Sequence, residues 1–158
     1  MAKLVLLFAL CILPAIVSAR FIGNPFLVQG RVYCDTCRCG FETSATKYIP
    51  GAKVRIVCKD SKTLGIKYTA EGVTDSTGTY KISVAYDRGD EICEAELVSS
   101  PDAFCSAPNR GRDRSRVILT RANGLTSDTR FANNMGFLRK QPLPGCTQLL
   151  KMYLDTDE

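Results

Sequence analysis

Apolar and polar residues alternate with a period of two in five stretches of the chain, the pattern of half-buried β-strands. In the first, Val28, Gly30, Val32 and Cys34 share one face and Gln29, Arg31 and Tyr33 the other, so the strand carries Cys34 inward and runs into a turn holding Cys37 and Cys39. In the second, Ala52, Val54, Ile56 and Cys58 alternate with Lys53, Arg55, Val57 and Lys59, which makes one face apolar and the other largely cationic. Residues 66–74 alternate again, with a bulge expected at Gly72. Tyr80, Ile82, Val84 and Tyr86 share the next face, and Cys93, Ala95 and Leu97 oppose Ile92, Glu94 and Glu96 in the one after. Pro50-Gly51, residues 75–78 and residues 87–90 supply turns between them. Residues 99–109 read as a loop, 117–119 as a short buried strand and 123–134 as a polar, turn-rich segment. Residues 149–154 fit either a last strand or one helical turn. The sum predicts an all-β chain, an antiparallel sandwich or barrel of about seven strands.

The N-terminus changes the picture by setting the compartment. Lys3 precedes an apolar run broken by Pro14, and Val17-Ser18-Ala19 offers a cleavage site of small residues, so residues 1–19 read as a signal peptide and 20–158 as the mature domain. No later segment has the length of a membrane span. The expected location is therefore the extracellular space or cell wall. Cys11 leaves with the signal, and of the 8 cysteines in the chain the remaining seven suit three disulfides and one spare thiol in an oxidising compartment. Loss of Lys3 lowers the net charge from +5 to +4, a mild excess that permits acidic partners without pointing to nucleic acid.

The segments VQGRVYCDTCRCGFET, IPGAKVRIVC, EICEAELVSS and LRKQPLPGC resemble the Ole e I family of secreted pollen proteins across essentially the whole mature chain. The order PGAKV, a strand, then VTDSTGTYKISV is similar to prealbumin-like sandwich modules. Spacing alone leaves every disulfide pairing open; the resemblance implies Cys34 to Cys105, Cys37 to Cys146 and Cys58 to Cys93. The last pair lies on inward strand faces and is expected to join two sheets. Cys39 stands where the family has no thiol, so it is the odd cysteine, either free, linking two molecules, or competing with Cys37 for Cys146. Asn123-Gly124-Leu125 is not a sequon, and no N-linked glycan is expected. The resemblance further implies a role in pollen hydration, germination or tube growth through a receptor-like kinase ectodomain or a wall component, and antibody binding as an allergen.

Candidate chemistry is sparse. Cys34 and Cys37 have the spacing of thiol redox motifs but lack the βαβ context, and zinc would need ligands that the disulfides use. With no histidine in the chain, the usual general base and the Ser-His and Cys-His nucleophile arrangements are absent. Glu94 and Glu96 share a strand face that reads as solvated surface rather than a hydrolytic pair. Arg88-Gly89-Asp90 spells the RGD tripeptide but most simply completes a turn. Arg110, Arg112, Arg114 and Arg116, joined by Arg139 and Lys140, are the best candidate surface for an acidic partner such as a receptor ectodomain or an acidic wall polysaccharide; the plainer reading is a solvated loop face softened by Asp113. The expectation is a binding protein with no catalytic residues, cofactor or metal; the alternatives are a structural or storage protein and a wall-active enzyme.

Overall fold

The computed structural model describes residues 24–154, and the expected signal peptide lies outside them. Ten strands and one helix occur among the described residues: β1 Phe26–Asp35, β2 Lys47–Tyr48, β3 Lys53–Asp60, β4 Ile66–Val73, β5 Thr79–Val84, β6 Glu91–Ser99, β7 Cys105–Pro108, β8 Arg114–Val117, β9 Thr129–Phe131, β10 Met135–Arg139 and α1 Cys146–Leu154. They form two sheets, one of four strands in the order β4-β3-β6-β8, the other of six strands assembled on β1.

β1 is long enough to pair twice along its length. Its first half binds β5 and β9, and its second half binds β2 and β10. Phe26, Val28 and Val32 of β1 pack with Tyr80, Ile82 and Val84 of β5 against Val54, Ile56 and Ala95 of the facing sheet, all buried. Burying this apolar face is the main stabilising term of the fold.

The two-sheet β architecture matches the periodicity, and the departures have local causes. β9 and β10 run parallel to β1 rather than antiparallel, because β9 arrives by a long connection instead of a hairpin and β10 follows it after three residues in the same direction along β1. β7 lies inside the segment read as loop; only Cys105 of its four residues is buried, and Pro108 sits at the sheet edge where a missing N–H costs nothing. β8 begins at Arg114, earlier than the expected strand at 117–119, since Ser115 and Val117 alternate inward and the Ser115 hydroxyl accepts the Asn133 N–H at 2.7 Å. β9 was hidden by its inward residue being Arg130. That guanidinium, buried beside the Phe26 ring, donates to the carbonyls of Ile118, Thr120 and Ser127, replacing water for both charge and backbone. Residues 149–154 belong to α1.

Two expectations fail for reasons of register. Gly72 is no bulge: it pairs regularly with Val54, and a Cβ there would lie 2.6 Å from Ile82 Cγ1, so the glycine permits close approach of β4 and β5. Cys58 and Cys93 do not join two sheets. They are direct neighbours on adjacent strands β3 and β6 of one sheet, with Cα atoms 4.0 Å apart, because both inward faces meet in register.

Candidate binding site

β1 ends in a tight loop whose geometry is set by a buried carboxylate. Asp35 accepts the backbone N–H groups of Cys39 at 3.1 Å and Gly40 at 2.7 Å, and Arg38 and Gly40 both adopt left-handed backbone conformations. Thr36, also buried, donates its hydroxyl to the Ala45 carbonyl at 2.9 Å and accepts the Leu143 N–H at 3.0 Å on its own carbonyl. Two disulfides leave this stretch. Cys34 is bonded to Cys105 at the start of β7, and Cys37 to Cys146 at the start of α1. Arg38 then donates to the Arg139 carbonyl at 2.7 Å, and the Lys140 N–H to the Phe104 carbonyl at 2.8 Å. Residues 34–40, 101–105 and 139–143 are thereby locked into one corner of the molecule.

Cys39 is half-buried in this loop, with its thiol donating to the Phe41 carbonyl at 3.3 Å. Burial pushes its pKa upward, and the charge of Asp35 adds to that. The thiol is consequently protonated at neutral pH and a poor nucleophile.

The expected basic surface divides. Arg114 lies 3.7 to 3.8 Å from Glu94, Glu96 and Asp113, so its charge is balanced on the outer face of the four-stranded sheet, where Arg116 faces Glu94 across the β6–β8 pair. Arg110 is exposed beside the turn at Gly111. Arg112 points elsewhere, donating from Nε to the Gly40 carbonyl at 2.8 Å. Arg139 ends β10 and Lys140 follows it at the locked corner. There the structure adds residues that periodicity did not single out: Lys47, Arg38 and the exposed ring of Phe104, whose centroid lies 5.9 Å from the Arg139 guanidinium. Arg38 sits between two cysteines and Phe104 beside a third, and that adjacency was the available signal.

Two clefts flank Arg139. One of about 360 Å³ is lined by Thr36, Lys47, Tyr48, Pro101 and Asp102 together with Arg139; the other, of about 330 Å³, by Phe104, Arg139, Lys140 and Gln141. Both fall at the lower end of the size range of small-ligand sites. Among the described residues, Lys47, Arg139 and Lys140 form no ion pair.

The other sequence candidates are structural in their surroundings. Arg88 of the RGD tripeptide folds back onto Glu91 at 3.1 Å and over the Tyr68 ring, leaving its side chain 12% exposed, so the tripeptide is not displayed. Glu94 and Glu96 both face Arg114. The cluster of Cys58, Glu91 and Cys93 has metal-ligand proximity, but both sulfurs are spent in the disulfide.

A family model described as "Pollen protein Ole e 1 like" matches residues 24–154. The chain belongs to the Ole e 1-like family. It is 51% identical to Protein DOWNSTREAM OF FLC of Arabidopsis thaliana, over 94% of this chain and 91% of that protein. It is 44% identical to Pollen-specific protein C13 of Zea mays, covering 94% and 88%, and 42% identical to Pollen allergen Cro s 1 of Crocus sativus, covering 95% and 91%. The crystal structure of the plantain pollen allergen Pla l 1 superposes with a TM-score of 0.70 at 31% identity, over 77% of this chain and 99% of that one. None of these Ole e 1-like relatives is named as an enzyme, and antibody binding fits those named as allergens. Among the described residues no helix is long and apolar enough to cross a membrane.

Proposed function

We propose that this Ole e 1-like protein is secreted to the extracellular space or cell wall. There it acts without catalysis in pollen hydration, germination or tube growth by binding an acidic partner, either a receptor-like kinase ectodomain or an acidic wall polysaccharide. The observation that carries the reading is the corner around Arg139, where cations without carboxylate partners and an exposed aromatic ring stand on backbone held by two disulfides. Such rigidity lowers the entropy lost on binding.

The test uses labelled mature protein applied to germinated pollen tubes. Binding should saturate, and should weaken as salt rises from about 0.1 M to about 1 M and the screening length contracts to roughly 3 Å. Replacing Lys47, Arg139 and Lys140 together by alanine should abolish it, while Arg114→Ala should not. Unsaturable or absent binding would favour a structural or storage role, and turnover of wall polysaccharide would favour an enzyme.

A further inference from the structure

The corner described above mixes groups in a way that narrows its ligand. A site for inorganic phosphate or for a strongly acidic peptide would gain by excluding carboxylates, yet Asp102 lines the larger of these two clefts together with Lys47 and Arg139. Asp102 caps its own turn by accepting the Phe104 N–H on Oδ1 at 2.8 Å, and its Oδ2 makes no hydrogen bond among the described residues. The smaller cleft sets the Phe104 ring, 64% exposed, beside Arg139, Lys140 and the amide of Gln141. A carboxylate acceptor, amide and hydroxyl groups, an aromatic face and two or three cations together suit a ligand with hydroxyl groups, an apolar C–H face and spaced negative charge.

We infer that the two clefts flanking Arg139 form a continuous subsite pair for an oligosaccharide of uronic acid residues. This rests on the reading of an extracellular acidic partner and selects the wall polysaccharide over the receptor. Arg139 lines both clefts, and its guanidinium, 5.9 Å from the Phe104 ring centroid, takes a sugar carboxylate in charge-assisted hydrogen bonds. Lys47 and Lys140 lie on either side for the carboxylates of neighbouring residues. Phe104 supports the C–H face of one sugar ring, and Asp102 Oδ2 accepts from a hydroxyl group. The walls are preset: Cys105 donates its N–H to the Asp102 carbonyl at 3.0 Å, and the Cys34–Cys105 bridge fixes the loop to β1.

The experiment is calorimetric titration of the mature protein with a de-esterified homogalacturonan oligomer, its fully methyl-esterified form, and poly-L-glutamate of matched charge. The de-esterified oligomer should bind, with the ester at least about tenfold weaker, since a charged hydrogen bond is lost at each site. Arg139→Ala should weaken binding by about tenfold or more. Phe104→Ala, at an exposed position that does not threaten folding, should cost about three- to tenfold. Arg114→Ala should leave affinity unchanged. Equal binding of polyglutamate, indifference to Phe104→Ala, or an equal loss in Arg114→Ala overturns the sugar-acid site. If no probe binds a protein that still binds pollen tubes saturably, this inference fails and the proposed function stands. If tube binding is absent as well, both fail.

Discussion

The two bridges at the corner should differ in what their removal does, in the order opposite to loop length. Cys37 and Cys146 are 109 residues apart and Cys34 and Cys105 are 71 apart. A chain-entropy argument assigns each about 4 to 5 kcal/mol, slightly more to the longer loop. That figure assumes that the folded state stays unchanged when the bond is cut. For Cys34–Cys105 it does, because both cysteines are buried in paired strands and β1 and β7 remain joined through β10. For Cys37–Cys146 it does not. Cys146 is the one buried residue of α1, and the contacts of Tyr153, whose hydroxyl accepts the Ser44 N–H at 3.1 Å and whose ring centroid lies 5.8 Å from that of Phe41, are at the surface, so without the bridge the helix loosens and the folded state regains part of the freedom that the unfolded state gains. Cys34→Ala with Cys105→Ala should therefore cost about 4 kcal/mol in global stability. Cys37→Ala with Cys146→Ala should cost about 1 to 2 kcal/mol globally, with lost helicity and early proteolysis beyond residue 140. Urea unfolding followed by circular dichroism reads the first quantity and limited proteolysis the second. An equal or greater global loss in the Cys37–Cys146 variant, with the helix intact, would refute the reasoning.

Further outcomes follow from burial. Gly136→Ala places a Cβ 2.6 Å from Tyr33 Cζ, and Tyr33 is itself buried, so overpacking should lower stability by about 1 to 3 kcal/mol, read from the urea midpoint. Tyr80 is buried with an unpartnered hydroxyl, and burial alone pushes its pKa far upward. The unfolded chain then releases this proton first, so stability is complete below about pH 10 and falls as pH rises beyond it. Tyr80→Phe should flatten that fall, and an unchanged alkaline slope would count against it. Cys39, raised by burial, should react with iodoacetamide at neutral pH far more slowly than a free cysteine and approach its rate only well above pH 9; rapid neutral labelling, or a dimer on a non-reducing gel, would contradict the loop geometry.

The long elements were legible because their periodicity coincides with burial. Val54, Ile56 and Cys58 on β3, and Cys93 and Ala95 on β6, alternate inward as the sequence indicates. Short late strands were not, because their inward residues are few or polar: Arg130 on β9 and Ser115 on β8 carry no hydrophobic signal and are buried through hydrogen bonds to distant backbone. Tyr33 shows a second limit. It lies on the outward-reading face of β1 yet is buried, since Gly136 on β10 leaves room for its ring. The arginine run divides among different neighbours for a tertiary reason. Consecutive arginines on a strand and its lead-in point to different neighbours, and only the fold shows that Arg114 pairs with Glu94 and Glu96 while Arg139 forms no ion pair among the described residues. Lys47 and Phe104 join Arg139 from strands and loops far apart in the chain, and spacing along one segment carries no trace of that.

The proposed function seats the partner on the corner around Arg139. Hydrogen exchange of the mature protein, alone and with a pollen-tube surface fraction, reads that placement. Amides in residues 36–49, 101–105 and 139–143 should gain protection on binding, with residues 94–96 and 114–116 unchanged. Protection centred instead on the outer face of β6 and β8, or none at a concentration that saturates binding, would place the partner elsewhere and contradict the account.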